Sequence, residues 1–344
     1  MRIINVRSDT VTRPTPSMRR AIAEAEVGDD VFGEDPTVNR LEKMAAERIG
    51  KQAALFVASG TMGNLVSVLS HCGRGDEVIL GDVSHMHLFE QGGMAALGGV
   101  HPRTVRNEPD GTMNLHAIEA AIRPDDIHHP RTRLVAVENT HNRCHGSPIS
   151  PAYMRDLRAL ADTHQIKIHV DGARIFNSAA AQGIGVRELA AEADSISFCL
   201  SKALAAPVGS LVCGSDEFIA RARRARKVLG GGMRQAGVLA AAGIVALDEM
   251  VDRLVEDHAN ARKLAEGLCR LDGLSIALER VKTNIVFIEV ERESMTPRDL
   301  SERLKAQGIL ISPAGPSRLR AVTNYHVTAE DVDTILDVFR KVLD

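Results

Sequence analysis

The sequence predicts an α/β protein built on a mostly parallel β-sheet flanked by helices. From about residue 50, short β-rich runs alternate with longer helical stretches, which is the pattern of successive strand–helix–strand units. The interiors of the β-rich runs are nearly continuous Val, Ile, Leu and Phe, as expected for strands covered on both faces. With 344 residues, 44% of them hydrophobic, the chain can fill one large core or two ordinary ones.

The predicted elements of the main sheet follow one another along the chain. Strands are expected at 53–59, 76–82, 133–139, 166–172, 195–201 and 209–214, and helices near 61–72, 114–122, 151–164 and 215–228. After Arg234, a stretch without Pro runs to about Leu271 and predicts one or two long helices. We place the domain boundary inside this stretch, with a large domain over 1–250 and a small α+β domain over 251–344.

The C-terminal part has strand and helix signals of its own. Strands are expected near 284–291, 308–312 and 319–324, with a helix after Pro297 and a final helix at the end. The final helix is well signalled, because Thr328 can cap it together with Asp331 three residues further on. Its apolar residues recur at helical spacing, at Val332, Ile335, Leu336, Phe339 and Leu343.

Composition and charge exclude several classes of partner. Lys and Arg total 42 against 45 Asp and Glu, a net charge of −3, so nothing favours broad binding to nucleic acid or to an anionic membrane. Aromatic residues make up only 3%, which argues against a base-stacking surface. No uncharged run is long enough to cross a bilayer, and the N-terminus lacks the apolar core of a signal peptide. We expect a small-molecule partner and a cytoplasmic location.

The common nucleotide and hydrolase motifs GxGxxG, GxxxxGK[ST], GxSxG and HExxH do not occur. The remaining candidates are polar residues at strand ends, where open parallel sheets bind ligands. The first strand runs into Ser59-Gly60-Thr61 at a helix start, whose N–H groups and positive dipole end can bind a phosphate. Many such turns are Gly-rich for steric reasons alone, so this signal is weak by itself.

Charged side chains follow two later strands of the sheet. Asp171 ends one strand and is followed closely by Arg174, and Lys202 comes directly after the next strand. The alternatives are an aspartate that only caps a helix and a lysine that is only solvated. Phosphate site, aspartate and lysine together predict a pyridoxal 5′-phosphate site. In it, Asp171 keeps the ring nitrogen protonated and Lys202 forms the Schiff base.

Seven segments carry a specific resemblance to a known family. In chain order they are RSDTVTRPT at 7–15, VGDDVFGEDPTVN at 27–39, SGTMGN at 59–64, ENTHN at 138–142, DGARIFN at 171–177, LSKALAAPVGS at 200–210 and GGGMRQAG at 230–237. Together they resemble the low-specificity L-threonine aldolases, which belong to the fold-type I pyridoxal-phosphate enzymes. The resemblance implies a transferase-like fold with a mostly parallel seven-stranded sheet flanked by helices and a small α+β C-terminal domain.

The resemblance assigns cofactor contacts to particular residues. By similarity, the cofactor-binding residues are Gly60, Thr61, His85, Asp171, Arg174, Lys202 and Arg234. Gly60 and Thr61 would bind the phosphate, and His85 would stack on the ring. Arg174 would lie near the 3′ oxygen of the ring and the substrate carboxylate.

The same resemblance implies substrate contacts and catalytic residues. The substrate-binding set is Ser8, His85, His141, Arg174 and Arg320, and the catalytic set is Lys202, His85, His141 and Asp171. Ser8 and an arginine of the small domain would hold the substrate carboxylate, because arginine offers two parallel donors. The family arginine sits just before a Val-Thr pair. This matches Arg320, although Arg318 lies two residues away on the same strand face.

The implied reaction is retro-aldol cleavage of L-threonine, L-allo-threonine or a related β-hydroxy-α-amino acid to glycine and an aldehyde. The base is left open among His85, His141 and a bound water, and the side-chain stereochemistry is also open. A competing hypothesis is another pyridoxal-phosphate reaction on this scaffold, such as β-elimination. The resemblance further implies a homo-oligomer, a dimer or a tetramer of two dimers, in which Arg234 and Lys227 approach the phosphate of a neighbouring subunit.

The sequence departs from the family pattern in two places. Phe32 stands where the family commonly has tyrosine, so the ring remains but its hydroxyl is lost. Ala203 and Ala205 stand where glycines commonly follow the lysine, and a positive φ at either position would carry a penalty.

Metal ligation is not expected from the sequence. His87 lies two residues from His85, and His128-His129 form a pair, but no Cys or carboxylate at ligand spacing accompanies them. The five cysteines contain no CxxC pair and are expected to be reduced thiols.

Overall fold

The structure is a computed structural model and describes residues 2–292 and 294–343. The strands in chain order are β1 (Ile4–Asn5), β2 (Ala53–Val57), β3 (Glu77–Gly81), β4 (His101–Val105), β5 (Thr132–Glu138), β6 (Lys167–Asp171), β7 (Ser195–Cys199), β8 (Ser210–Gly214), β9 (Leu274–Ser275), β10 (Ile285–Val290), β11 (Ile309–Leu310), β12 (Ser312–Pro313) and β13 (Arg318–Val322). The helices are α1 (Pro16–Ala23), α2 (Pro36–Ile49), α3 (Gly60–His71), α4 (His85–Leu88), α5 (Gly93–Ala96), α6 (Leu115–Ala121), α7 (Pro151–Thr163), α8 (Ile175–Gln182), α9 (Val186–Ala190), α10 (Asp216–Val228), α11 (Gly237–Glu249), α12 (Leu254–Leu268), α13 (Pro297–Ala306) and α14 (Ala329–Leu343).

Seven strands form the main sheet in the order β2-β8-β7-β6-β5-β3-β4. Strand β8 is antiparallel to both of its neighbours, and all the other neighbouring strands pair in parallel. Strands β3, β7 and β8 are buried along their whole length, as expected for strands that are covered on both faces. The predicted fold class, with its mostly parallel seven-stranded sheet, is confirmed.

Strand β4 is the member of this sheet that strand-by-strand reading of the sequence does not find. It lies at the edge beside β3, and most of its residues are exposed or half-buried. Its sequence HPRTV has no apolar run, and it contains Pro102, which cannot donate a ladder hydrogen bond. An edge strand tolerates both features because only one of its sides must pair.

A second, antiparallel sheet has the strand order β12-β13-β10-β9. It contributes to a separate hydrophobic cluster, which otherwise draws on α12, α13 and α14. Ile4 and Val6 from the N-terminus join this cluster, because β1 pairs in parallel with β11. This cluster is built mostly from residues after 250, but Ile4 and Val6 also belong to it, and the division of the chain into 1–250 and 251–344 stays a prediction.

The last helix forms as the sequence predicts. Thr328 Oγ1 accepts a hydrogen bond from the Asp331 N–H at 3.2 Å, and Asp331 Oδ2 accepts one from the Thr328 N–H at 3.0 Å. This reciprocal cap satisfies N–H groups that have no partner within the helix. The five predicted apolar residues of α14 are all buried. Among the described residues, no helix has the length and apolarity needed to cross a membrane.

Candidate active site

The parallel strands bring the predicted site residues to one edge of the main sheet. Strand β6 ends at Asp171, Lys202 follows β7, and α4 begins at His85 shortly after β3. Strand β2 points the same way and leads into α3, which begins at Gly60. A carboxylate oxygen of Asp171 and a ring nitrogen of His85 lie within 4.8 Å of each other.

The N-terminus of α3 has the features of a phosphate site. Ser59 Oγ caps the helix by accepting a hydrogen bond from the Met62 N–H at 3.2 Å. The N–H groups of Gly60 and Thr61 belong to the first turn and have no acceptor within the helix. A Cβ on Gly60 would lie 2.9 Å from Cys199 Sγ, so this close approach requires glycine. Free N–H groups at the positive end of a helix dipole fit a phosphate.

Asp171 is 3% exposed and is held by neutral donors. Its Oδ2 accepts a hydrogen bond from Asn64 Nδ2 at 2.9 Å, and its Oδ1 accepts one from the Ala173 N–H at 3.1 Å. Among the described residues it forms no ion pair with Lys or Arg. A buried carboxylate with remaining acceptor capacity fits the protonated ring nitrogen of pyridoxal phosphate.

Lys202 is half-buried at the end of β7. Its carbonyl oxygen accepts a hydrogen bond from Thr12 Oγ1 at 2.9 Å, which joins this turn to the N-terminal segment. Its Nζ makes no hydrogen bond or ion pair within the described part of the chain. The turn that follows contains Ala205 with φ +61°, whereas the φ of Ala203 is not positive. One of the two glycine replacements therefore occupies a left-handed conformation.

His85 forms a close pair with Glu90. His85 Nδ1 lies 2.8 Å from Glu90 Oε1, and the His85 N–H donates to Glu138 Oε2 at 2.7 Å. The hydrogen bond to Glu90 raises the pKa of His85 above its ordinary value. The sequence alone did not identify Glu90, because no local pattern distinguishes a buried Glu next to a functional histidine from a Glu in an exposed loop.

His141 is fully enclosed in the structure. Neither of its ring nitrogens has a hydrogen-bond partner among the described residues, and Nε2 lies 3.9 Å from Glu138 Oε2. Gly111, with φ +88°, packs on it so closely that a Cβ there would lie 2.6 Å from the His141 Cβ. Glu138 Oε2 therefore lies near both the His141 ring and the backbone N–H of His85.

Arg174 is committed to a carboxylate of the N-terminal segment. Its Nε and Nη2 donate to Asp9 Oδ2 at 2.6 Å and Oδ1 at 2.7 Å. Burial alone would raise the pKa of Asp9, but the Arg174 guanidinium beside it holds that pKa below its usual range. Ser8 caps the short helical turn at Asp9–Val11, with its Oγ accepting from the Thr10 N–H at 3.2 Å. Sequence reasoning also missed Asp9, although it lies in the RSDTVTRPT segment.

The two candidate arginines of β13 have different surroundings. Arg320 Nη1 donates to Asn142 Oδ1 at 3.0 Å, and its Nε is buried without a partner in the described chain. Burial and the nearby Arg174 lower the pKa of Arg320. Arg318 instead stacks on Phe287, with its Cζ 4.6 Å from the ring centroid. Arg320 thus lies near Arg174 and keeps an unused Nε–H, whereas Arg318 lies against an aromatic ring, and this supports Arg320 over Arg318 as the carboxylate ligand.

Within the described chain, Arg234 and Lys227 make no hydrogen bond or ion pair to these groups. Arg234 Nη1 pairs with Asp29 Oδ2 at 2.9 Å, and its side chain is largely exposed. Lys227 is also exposed. Phe32, close to Asp29 in the chain, is 74% exposed.

A sequence profile of the family described as "Beta-eliminating lyase" matches residues 5–293. Low-specificity L-threonine aldolase 1 of Arabidopsis thaliana is 50% identical over 347 residues, covering 100% of this chain and 97% of the relative. Low specificity L-threonine aldolase of Escherichia coli strain K12 is 46% identical over 341 residues, covering 99% of each chain.

Solved structures with the same fold are more distant in sequence. The threonine aldolase of Leishmania major superposes with a TM-score of 0.84 at 19% identity, over 99% of both chains. A structure described as SPT with PLP internal aldimine has a TM-score of 0.76 at 21% identity and covers 99% of this chain and 87% of that chain. At these identities the comparison concerns the fold alone, and the fold is that of pyridoxal-phosphate enzymes.

Proposed function

This chain belongs to the β-eliminating lyase family, and from that premise we propose that it is a threonine aldolase that depends on pyridoxal phosphate. It cleaves L-threonine, L-allo-threonine and related β-hydroxy-α-amino acids to glycine and an aldehyde. The main observation behind the proposal is that Gly60, Asp171 and Lys202 lie at the same edge of the main sheet. The chain is also related to aldolases over its whole length.

The residues at this edge fit the cofactor. Gly60 and Thr61 would bind its phosphate through their N–H groups, and Asp171 would accept the hydrogen of the ring nitrogen. His85 would stack on the ring, and Lys202, whose amine has no partner in the described chain, would attach the cofactor covalently. When bound, the cofactor supplies an electron sink for the bond that breaks.

We assign the substrate carboxylate to Arg320, with Arg174 and Ser8 close by. Arg320 lies near enough to Arg174 for that charge to lower the pKa of Arg320, and Arg320 retains an unused Nε–H. A guanidinium can hold a carboxylate through two parallel hydrogen bonds, which fixes its orientation. A carboxylate held this way sets which bond at Cα stands perpendicular to the ring, and for an aldolase that bond is Cα–Cβ.

The proton of the β-hydroxyl leaves to His85, His141 or a bound water. The His85 side chain is 33% exposed, and its Nε2 makes no hydrogen bond within the described residues. His141 is enclosed and would need the loop around it to move before it could touch a substrate. This difference in access supports His85 as the group that contacts the hydroxyl.

We also propose that the protein works in the cytoplasm as a homotetramer of two dimers with shared sites. Several large apolar side chains are exposed, among them Phe32 at 74%, Phe89 at 51% and Val228 at 81%. In the proposed assembly a neighbouring subunit would cover side chains of this kind. In such a dimer, Arg234 reaches the phosphate of the neighbouring site, and Lys227 is the second candidate.

The test is aldehyde release by the purified protein with added pyridoxal phosphate. L-threonine and L-allo-threonine are compared, and the variants are Lys202→Ala and the exposed control Lys43→Ala. We expect release by the wild type and by the control, and its loss in Lys202→Ala. The ratio of the two substrates reports the side-chain selectivity.

A different product would reject the aldolase proposal. Pyruvate and ammonia from serine or a related amino acid, with no glycine or aldehyde from threonine, would instead identify a β-eliminating lyase on the same scaffold. Aldehyde release that persists at the wild-type rate in Lys202→Ala would remove the lysine from the reaction.

A further inference from the structure

Glu90 is a buried carboxylate that the proposed reaction does not use. It is 8% exposed and lies just after α4, between His85 and Asn64. Its Oε1 accepts hydrogen bonds from both neighbours, at 2.8 Å from His85 Nδ1 and 2.8 Å from Asn64 Nδ2. A carboxylate is seldom buried without specific hydrogen-bond partners, and the partners of Glu90 are the two side chains that lie next to it in the site.

Asn64 explains how two carboxylates can lie side by side at this site. Its Nδ2 donates one hydrogen to Glu90 Oε1 and the other to Asp171 Oδ2, at 2.8 Å and 2.9 Å. Its Oδ1 faces the other way and accepts from Ser197 Oγ at 2.8 Å and from His169 at 3.2 Å. The amide orientation is therefore set by four contacts, and each carboxylate has a donor.

We propose that Glu90 is a positioning residue for His85. Glu90 binds Nδ1 of His85, and so it orients the ring with Nε2 towards the substrate and favours the protonated imidazole. The catalytic consequence rests on the proposed aldolase function, but the effect of Glu90 on His85 does not. Because Nδ1 is bound to a carboxylate, the neutral imidazole carries its hydrogen on Nδ1 and leaves Nε2 as the acceptor.

The charges around His85 point the same way. Glu90 contributes most to the raised pKa of His85, Asp171 raises it further, and Lys202 and burial oppose the rise. Glu138 also faces this group, but through the backbone N–H of His85 rather than through the ring. Glu90 is the carboxyl group in direct contact with the imidazole. Burial and Asp171 raise the pKa of Glu90, and its hydrogen bond with His85 opposes that rise and favours the ionised carboxylate. Removing Glu90 should therefore lower the pKa of His85.

The variant Glu90→Gln separates charge from position. Both hydrogen bonds to Glu90 end on the same oxygen, Oε1, and the amide oxygen of a glutamine can accept both. The imidazole would keep its orientation and lose only the negative neighbour. Glu90→Asp keeps the charge but withdraws it by one carbon, so it should shift His85 in the same direction by a smaller amount.

The experiment titrates His85 in the cofactor-loaded protein with ¹³C-labelled histidine, the His85 signal being assigned as the one absent from His85→Asn. The pH dependence of aldehyde release is measured in parallel. In Glu90→Gln we expect the midpoint of the His85 titration to move to lower pH by about one unit, which is the smallest shift usually seen when an adjacent opposite charge is lost. The limb of the pH–rate profile that depends on His85 should move by the same amount.

The matched control is Glu77→Gln, which makes the same change to a buried carboxylate at the start of β3. It should leave the His85 titration in place. An unchanged titration in folded Glu90→Gln, or an equal shift in Glu77→Gln, would overturn the proposal. If Glu90→Gln does not fold, the smaller shift expected in Glu90→Asp decides. A wild type that releases no aldehyde would reject the aldolase function and leave the titration to decide the role of Glu90.

Discussion

Arg174 and Asp9 form a buried, two-point ion pair that joins the end of β6 to the N-terminal segment. The Nε–Oδ2 and Nη2–Oδ1 distances are 2.6 Å and 2.7 Å, and the side chains are 5% and 0% exposed. Asn284, beside β10, adds a longer contact to Asp9 Oδ2 at 3.4 Å. The orientation of Arg174 in the site therefore depends on a residue near the start of the chain.

Asp9→Asn should destabilise the protein by about 3 kcal/mol, because it leaves the Arg174 guanidinium buried without a counter-charge. Urea unfolding at pH 7 measures the change. The control Asp248→Asn, which breaks a largely exposed pair with Arg48, should cost about 1 kcal/mol or less.

The pH dependence gives this prediction a second test. Since Arg174 holds the pKa of Asp9 below its usual range, the stabilisation is complete above the ordinary carboxyl pKa and is lost as pH falls through the folded one. The difference in the free energy of unfolding between the wild type and Asp9→Asn should therefore become smaller in strong acid. A gap that stays constant with pH would contradict this account of the pair.

Arg320→Ala should lower kcat/KM for L-threonine by about 10- to 100-fold, the value of a charge-assisted hydrogen bond of about 1.5–3 kcal/mol. Arg320→Lys should recover only part of the loss, because lysine cannot hold a carboxylate at two points. Arg318→Ala is the matched control and should behave like the wild type, since Arg318 stacks on Phe287. Equal losses in Arg318→Ala and Arg320→Ala would show that the carboxylate ligand has not been identified.

Ala205→Gly should cost less stability than Ala203→Gly, because Ala205 has φ +61° in the turn after Lys202 whereas the φ of Ala203 is not positive. Both side chains are buried, so each variant loses a buried methyl group and adds about 0.4–1 kcal/mol of unfolded-chain entropy. Only Ala205→Gly also removes a left-handed alanine, which costs about 1–2 kcal/mol. We therefore expect the urea midpoint of Ala205→Gly to lie above that of Ala203→Gly. Equal losses in the two variants would argue against strain at Ala205.

His169 should make the protein less stable in mild acid. It is fully buried, and burial lowers its pKa to about 4. Below about pH 6.5 the unfolded chain takes up a proton that the folded His169 does not. The free energy of unfolding therefore falls as the pH drops from 6.5 towards 4, by about 1.4 kcal/mol at pH 5.5.

His169→Gln removes this titration and should show a smaller loss of stability between pH 7.5 and pH 5.5. The exposed His116→Gln is the control, and its stability should follow the wild-type pH dependence. Parallel curves for His169→Gln and the wild type would mean that other groups account for the acid lability.

Local sequence patterns determined a large share of this protein. The nearly continuous apolar runs predicted the buried strands, and Asp171, at the end of β6, and Lys202, shortly after β7, lie at the carboxyl edge as expected. Thr328 and Asp331 predicted their own cap, because a cap involves residues three apart. Strand β4 escaped prediction because an exposed edge strand needs no apolar run.

Only the tertiary structure decided which side chains contact and orient the residues of the site. Asp9 pairs with Arg174 across 165 residues, and Asn64 joins Glu90 to Asp171. Arg320 and Arg318 can be told apart only by their neighbours, which are Asn142 for Arg320 and Phe287 for Arg318. In the sequence each of these is an ordinary polar residue. Their burial and partners depend on how distant segments pack, and burial is what turns a hydrogen bond or a neighbouring charge into control over orientation and protonation.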